Sequence, residues 1–370
     1  MKTLRAVLAL LGLLALPAAS AERWRLQYFH DADDSSLVIA DLVFPTPQRG
    51  MAVGYFVERG KQKPAGLATT DGGQTWTKVA VPKSAISVFF ASESLGWLVG
   101  GDGSIWRTTD FGQKWTRLER LPGALRVHFA DANRGWAVGT HKSVWETTDG
   151  GKKWNPVAAA AEPKTSSEFT VYSGIAFANA KDGMISGWSK PQPGKARRNR
   201  RPDWLEPESR PREVPSVSVV LETRDGGTQW KVSSASVFGR VAQVRLAPDG
   251  RGLGLIEYRD AFDWPSEVIR LDWHTGTSAS AFRRKDRAVT DVALPPQGPA
   301  YLAAIEPPGT LARSPVPGKL RMLKSDNLDD WQEMAVDYRA VAGRAVLAAP
   351  DAAHLWVATD TGMILKLVSE

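Results

Sequence analysis

The sequence has 370 residues, with 47 basic and 40 acidic side chains, and this small excess of positive charge does not indicate a nucleic-acid partner. It contains no Cys, which excludes disulfides and a lipid anchor attached through cysteine. A chain of this length without disulfides must be stabilised by a large hydrophobic core.

The first 21 residues predict a secretory signal peptide. Lys2 and Arg5 precede an apolar stretch, and Ala19-Ser20-Ala21 provides the small residues of a cleavage site. We therefore expect an exported protein, periplasmic or secreted, whose mature part covers residues 22–370. No later segment has the length and apolar character of a transmembrane helix.

Four segments share the pattern Thr-x-Asp-x-Gly-x-x-Trp, and the first three are 39 residues apart. Their acids and tryptophans are Asp71 and Trp76, Asp110 and Trp115, Asp149 and Trp154, and Asp225 and Trp230. The pattern resembles the Asp-box of the bacterial neuraminidase repeat. We predict a hairpin turn in which Asp accepts backbone N–H bonds, Gly adopts positive φ and Trp packs into the core. The alternative is that these Asp residues are catalytic or bind calcium.

A second pattern precedes each box, with Phe followed six residues later by Gly and an apolar strand. Phe90 with Gly96-Trp97 and Phe129 with Gly135-Trp136 are clear copies, and Phe44 and Phe177 begin similar ones. A third strand then leads into the box. Units of about four short strands, repeated at this spacing, indicate the blades of a β-propeller.

We count seven four-stranded blades in an all-β fold. The four boxes end blades one to four, and blades five and six end in eroded boxes near Asp272 and Asp326. The seventh blade has three strands at the C-terminus, the last around Ile364. We predict that the N-terminal strand around Trp24 supplies its fourth strand and closes the ring, since an open blade exposes an unpaired edge.

An insertion at about 189–215 interrupts the repeat between the second and third strands of blade four. It is rich in Pro and contains eight basic and four acidic residues between Lys190 and Glu213. We expect an exposed loop that docks a partner or an anionic membrane surface. The residues predicted to make this contact are Lys195, Arg197, Arg198, Arg200, Arg201 and Trp204. The alternative is a solvated loop with no function.

No enzyme signature is present in the sequence. The five His residues lack metal-ligand spacing, and neither a nucleophile elbow nor a phosphate-binding loop occurs. The acids Asp31, Asp33 and Asp34 could hold calcium, but a solvated turn explains them better. Arg259 and Asp260, with Asp263 and Trp264, could form a sugar site or a polar loop. We expect no cofactor and no metal.

The combination of Phe-x5-Gly-Trp-x-Val-Gly with Thr-x-Asp-Gly-Gly-x-x-Trp resembles the photosystem II stability/assembly factor family and its bacterial relatives. The resemblance is strongest from Leu42 to Trp154. It implies a non-enzymatic propeller that holds membrane-protein subunits or assembly intermediates on the periplasm-like side of the membrane. The alternative is a glycoside hydrolase or sugar-binding propeller of the sialidase type, which would need paired carboxyl groups or a Tyr nucleophile, and an arginine clamp.

Overall fold

A computed structural model describes residues 22–190, 215–258, 262–308, 316–337 and 339–369. The leader predicted at residues 1–21 lies outside these ranges. No helix in the described ranges has the length and apolar character needed to cross a membrane.

The described residues form 29 strands and two short 3-10 helices, the latter at Ala158–Ala161 and Ser167–Phe169. In the first half of the chain the strands are β1 (Glu22–Phe29), β2 (Ser35–Val43), β3 (Gly50–Glu58), β4 (Lys61–Thr69), β5 (Thr77–Lys78), β6 (Ala85–Phe90), β7 (Gly96–Gly100), β8 (Ser104–Thr108), β9 (Thr116–Arg120), β10 (Ala124–Phe129), β11 (Gly135–Gly139), β12 (Val144–Thr147), β13 (Asn155–Pro156), β14 (Thr170–Phe177) and β15 (Gly183–Ser189). In the second half they are β16 (Ser216–Thr223), β17 (Lys231–Val237), β18 (Arg240–Leu246), β19 (Arg251–Glu257), β20 (Ser266–Asp272), β21 (Thr277–Phe282), β22 (Ala288–Ala293), β23 (Ala300–Glu306), β24 (Gly318–Ser325), β25 (Gln332–Met334), β26 (Val341–Ala342), β27 (Ala345–Asp351), β28 (His354–Thr359) and β29 (Met363–Ser369).

These strands make seven antiparallel sheets, and each sheet is one blade of a propeller. Blades one to six contain β2–β5, β6–β9, β10–β13, β14–β17, β18–β21 and β22–β25 in chain order, and the short strand β26 adds to β24 of blade six. The first strands of neighbouring blades contact each other around the whole circle, from β2 through β6, β10, β14, β18, β22 and β27 back to β2. The predicted seven-bladed fold is confirmed.

The seventh blade is closed by the N-terminal strand, as predicted. Its order is β27-β28-β29-β1, and Trp24 pairs with Leu367 while Tyr28 pairs with Ile364. The Lys366 ammonium of β29 also donates to the carbonyl oxygen of Gly72, in the neighbouring blade one, at 3.1 Å. The ring is therefore closed by both main-chain pairing and a side-chain contact with blade one.

The core of the protein lies between the blades and not within them. Seven clusters of buried apolar residues occur, one at each seam between neighbouring blades. At the seam of blades two and three, Trp97 of β7 stacks on Phe129 of β10 with 3.5 Å between ring centroids. The stack depends on Gly135, whose Cβ would lie 2.5 Å from the Phe129 ring if a side chain were present. This contact explains the spacing of Phe and Gly in the sequence repeat.

At each seam, a side chain from the second strand of one blade, such as Trp97 of β7, inserts beneath the box turn of the next blade. The size of the residue that follows the box acid varies inversely with the size of this inserted side chain. Where that inserted residue is Trp, Gly follows the acid, and where it is smaller, a large apolar residue follows. Gly72, Gly150 and Gly226 follow the acid in the boxes that meet Trp356, Trp97 and Trp136, whereas Phe111 and Leu328 share buried clusters with Met51 and Leu253. Phe111 and Leu328 occupy left-handed backbone conformations, with φ of 58° and 66°, although they carry side chains. Filling the seam therefore outweighs the cost of this backbone strain.

Removal of β1 tests the closure of the ring. A chain that begins at residue 31 should unfold or aggregate, because blade seven then exposes the edge of β29 and loses its pairing with β1. Its melting temperature and light scattering are compared with those of a chain that begins at residue 22. Equal melting of the two chains would refute the closing role of β1.

A double-mutant cycle tests the compensation at the seam of blades one and two. Met51→Trp alone should overpack the seam, and Phe111→Gly alone should leave a cavity that costs about 2–4 kcal/mol, more than the roughly 1–2 kcal/mol regained from backbone strain. The double variant reproduces the pairing found at the other three seams and should recover at least about 1 kcal/mol relative to the sum of the single changes, as measured by urea unfolding. Simple additivity would contradict the compensation.

Candidate functional site

The four predicted boxes form the same hydrogen-bonded turn between the third and fourth strands of a blade. These turns and the turns between first and second strands lie on one face of the disc, here called the box face. In the first box the Thr69 hydroxyl donates to Asp71 Oδ1 at 2.8 Å and accepts the Gly73 N–H at 2.9 Å. Asp71 also accepts the backbone N–H of Thr75 at 2.9 Å. The other boxes repeat these contacts around Asp110, Asp149 and Asp225. The role of Thr as a bridge inside the turn was not part of the sequence prediction.

The box tryptophans lie immediately before the fourth strand of each blade and pack against the seams. Trp76, Trp154 and Trp230 contact Phe44, Phe129 and Phe177 edge to face, with centroid separations of 5.9, 5.9 and 6.4 Å. Trp115 packs against the corresponding cluster at the seam of blades one and two. In the structure these box residues make contacts that stabilise the fold.

The box carboxyl groups have lowered pKa values because they accept hydrogen bonds within the turn. The Thr75 hydroxyl, followed by the Thr75 N–H, lowers the pKa of Asp71 to about 2. The pKa of Asp110 is also lowered, mainly by the backbone N–H of Lys114. Such groups remain ionised at neutral pH and cannot act as general acids there.

The sixth box differs from the sequence interpretation, which assigned its acid to Asp326. Asn327 takes the position of the box acid, because its side-chain oxygen accepts the backbone N–H groups of Asp329 and Asp330 at 3.0 and 2.8 Å. The turn is one residue shorter than in the first four blades. The same shortening occurs in blade five, where Asp272 accepts N–H bonds from His274 and Thr275.

The other polar candidates are distributed around the ring. Asp31, Asp33 and Asp34 are exposed in the turn before β2, and the described residues contain no group of three side chains suited to a metal ion. The five His residues have separate local contacts: His30 with Ser35, His128 with Phe89 and Phe177, His141 with Thr140, His274 with Trp273, and His354 with Asp351.

The proposed sugar site is only partly described. Arg259 and Asp260 lie outside the described residues. Asp263 pairs with Lys285 at 3.0 Å, and Arg283 and Lys285 both lie over the Trp264 ring, 4.8 and 5.2 Å from its centroid.

The predicted docking residues Lys195, Arg197, Arg198, Arg200, Arg201 and Trp204 also lie outside the described residues. The insertion that carries them connects β15 to β16, as predicted. Its flanking residues Lys190 and Ser216 both line one cavity of the molecule.

This cavity, here called the groove, has a volume of about 630 Å³ and lies over blades four to six on the face opposite the boxes. Antiparallel order brings the ends of the second strands and the beginnings of the first strands together on this face. Trp188, Tyr258 and Ile305 come from the ends of second strands, and Arg240 and Val289 from the beginnings of first strands. The groove is therefore assembled from residues that are far apart in sequence.

One wall of the groove is formed by Trp188 and two cations. The Lys190 ammonium lies 5.7 Å and the Arg240 guanidinium 5.9 Å from the centroid of the Trp188 ring. Arg240 Nε also donates to Glu257 Oε2 at 2.7 Å. Lys190, in contrast, forms no ion pair within the described part of the chain.

Tyr258 lines the other side of the groove and begins an aromatic row that extends beyond the lining residues to the protein surface. Tyr258, Phe262 and Phe238 form a row with centroid separations of 5.1 and 5.4 Å, and Phe238 is 46% exposed. The Tyr258 hydroxyl donates to the buried carboxylate of Glu267, which also lies 3.7 Å from Arg283. Burial and this carboxylate raise the pKa of Tyr258 to about 12. The groove thus offers both aromatic surface and charge to a ligand.

Comparison with known proteins supports the resemblance to the photosystem II assembly factors, both in sequence and in fold. The family model of the photosynthesis system II assembly factor YCF48 matches residues 123–192, which contain blade three and the first two strands of blade four. Sequence comparison with curated proteins finds no match. The resemblance to this assembly-factor family is confirmed.

Similar solved structures share the fold. A structure described as YCF48 bound to D1 peptide is 18% identical, with a TM-score of 0.61 over 98% of this chain and 100% of that one. YCF48 from Cyanidioschyzon merolae is 18% identical, with a TM-score of 0.57 over 94% and 98%. The WD40 β-propeller domain of Doa1 is 12% identical, with a TM-score of 0.54 over 95% and 98%.

The lowered pKa of Asp71 predicts a dependence of stability on pH. The pKa of Asp71 in the folded protein is about 2, below the ordinary value of 3.8. The ionised carboxylate therefore adds its full stabilisation to the fold above pH 3.8, and this stabilisation is lost as the pH falls through about 2. The parent should therefore lose more stability between these two pH values than the variant Asp71→Asn. Melting temperature measured against pH checks this, with Asp33→Asn in an exposed turn as the control. Parallel curves for the parent and Asp71→Asn would contradict it.

Proposed function

We propose that this protein is a non-enzymatic binding propeller that holds an extended segment of a membrane-protein subunit while its complex assembles. The observation that carries the proposal is the groove, whose aromatic and charged walls suit a peptide chain. The family model and the structure of YCF48 with D1 peptide support it, since a related propeller holds a peptide.

Export of the protein is part of this proposal. The leader at residues 1–21 would direct the mature chain across the membrane, where it meets the periplasmic segments of membrane proteins. A propeller suits this task because its box face is occupied by structural turns, while the opposite face is built from loops that differ from blade to blade.

The basic insertion is proposed to assist binding at the same face. The described residues on either side of it, Lys190 and Ser216, line the groove. The arginines of the insertion would pair with partner carboxylates or with the phosphates of an anionic membrane surface.

Glycoside cleavage or sugar binding is the second candidate function, and one observation favours it. Tyr258 and Glu267 are hydrogen bonded at the groove wall, which is the pairing that a Tyr nucleophile needs. However, Arg240 is the one guanidinium among the described groove residues, where a carboxylate clamp of the sialidase type requires three. Assays on a panel of chromogenic glycosides decide this alternative, because turnover that disappears in Tyr258→Phe would establish the enzyme.

Site-specific photocrosslinking tests the proposed function. A photoreactive residue in place of Phe238, which precedes the groove-lining Gly239, should crosslink to integral membrane proteins in membranes from the organism that encodes this chain. The same residue in place of Gln113, exposed on the box face, serves as the matched control. Equal adducts from the two positions, or adducts with soluble proteins alone, would overturn the proposal.

Charge reversal tests the insertion. Replacing Arg197, Arg198, Arg200 and Arg201 by Glu should strongly reduce co-sedimentation with membranes, and high salt should reproduce the loss in the parent protein. We expect the melting temperature to stay unchanged, because the insertion connects two strands of a blade that already has all four. If the variant co-sediments with membranes as strongly as the parent, the insertion does not contribute and partner binding is assigned to the groove alone.

A further inference from the structure

We infer that the groove selects segments in which acidic and aromatic residues alternate, with a carboxylate on Lys190 and an aromatic side chain on Phe238. The inference rests on the proposed function, namely that the groove holds an extended peptide, and it identifies the chemistry of that peptide.

The first step concerns Lys190. Its side chain is exposed, its backbone N–H donates to the Phe169 carbonyl at 3.0 Å, and its ammonium lies over the buried Trp188 ring. The main chain and the ring thus hold the cation at the groove while no carboxylate of the described chain neutralises it. A preorganised cation beside an apolar surface favours a ligand carboxylate more than a freely rotating surface lysine does.

The second step concerns the charge balance at the rim. The carboxylates near the groove are already engaged: Glu257 by Arg240, Glu306 by Arg321, Glu267 by Tyr258, and Asp360 by the Gly343 N–H at 2.9 Å. Arg344, next to groove-lining Gly343, is exposed and, like Lys190, forms no ion pair with the described residues. Among the described residues, the edge of the groove therefore carries positive charge that no ion pair neutralises, and this charge attracts acidic ligands and repels basic ones.

The third step concerns the aromatic wall. Phe238 is the exposed end of its row, and it precedes Gly239 and Arg240, both of which line the groove. Arg240 lies over the same Trp188 ring as Lys190, so the short segment 238–240 connects the aromatic side of the groove to the cationic side. Successive side chains of an extended peptide point to opposite sides, so an alternating sequence presents carboxylates and rings to different walls.

Fluorescence anisotropy with a short end-labelled peptide of alternating Asp and Phe tests the inference on the mature chain. Matched peptides replace Asp by Asn, Asp by Lys, or Phe by Ser. The Asp and Phe peptide should bind the parent at least about tenfold more tightly than each of the others, and high salt should weaken it.

Two substitutions in the groove should each weaken this peptide by about tenfold, Lys190→Glu by repulsion and Phe238→Ala by loss of the ring. Lys181→Glu makes the same charge change on the same blade but on the box face, and Phe29→Ala removes a ring that is 50% exposed on blade seven. Both controls should bind like the parent. Unchanged melting temperatures show that the groove variants remain folded.

Equal binding of the Asp and Asn peptides, or equal binding by Lys190→Glu and the parent, would overturn the inference while leaving the groove as a peptide site. Failure of every peptide to bind the parent would also overturn it. Crosslinks from the Phe238 position to membrane proteins would in that case still support the proposed function, so the two failures are distinguishable.

Discussion

The structure depends on one repeated contact, in which a large side chain of the second strand of a blade inserts beneath the first strand and box turn of the next blade. A single four-stranded sheet exposes two apolar faces and cannot bury either of them alone. The stack of Trp97 on Phe129, with Trp154 set edge to face against the same ring, shows how two blades bury these faces together. Each box turn closes one seam, so it stabilises the seam between two blades as well as its own hairpin.

The requirement that every seam be filled explains features that otherwise look like defects of the repeat. Phe111 and Leu328 occupy positions where other boxes have Gly, and both accept left-handed backbone conformations. Each lies in the same buried cluster as a Met or Leu that replaces the inserted Trp, namely Met51 and Leu253. The seams are thus filled by different combinations of residues, as expected of a close-packed interior.

The sequence was sufficient to predict the blade count and the ring closure because both depend on local patterns that recur at fixed spacing. It failed at Asp326, since a box shortened by one residue shifts the hydrogen-bonding acceptor to Asn327, and spacing alone does not reveal the shift. It also missed the groove. Trp188, Arg240 and Tyr258 belong to no common motif, and they meet only because antiparallel order places strand ends of two neighbouring blades on one face. The isolated aromatic at the end of a second strand, as in Trp188 and Tyr258, was the signal available.

The two faces of the disc therefore differ in what their residues are free to do. On the box face, cations lie over the seam aromatics, as Arg134 does over Trp136 and Arg224 over Trp273, and the carboxylates are held within their turns. On the groove face, the exposed Lys190 ammonium forms no ion pair with the described residues, and Phe238 remains 46% exposed beside its contact with Phe262. Exposed aromatic surface beside a cation that lacks an ion pair is typical of an interaction site, so the less regular face is where binding is expected. The repeat thus identifies the structural face, and the departures from the repeat identify the functional one.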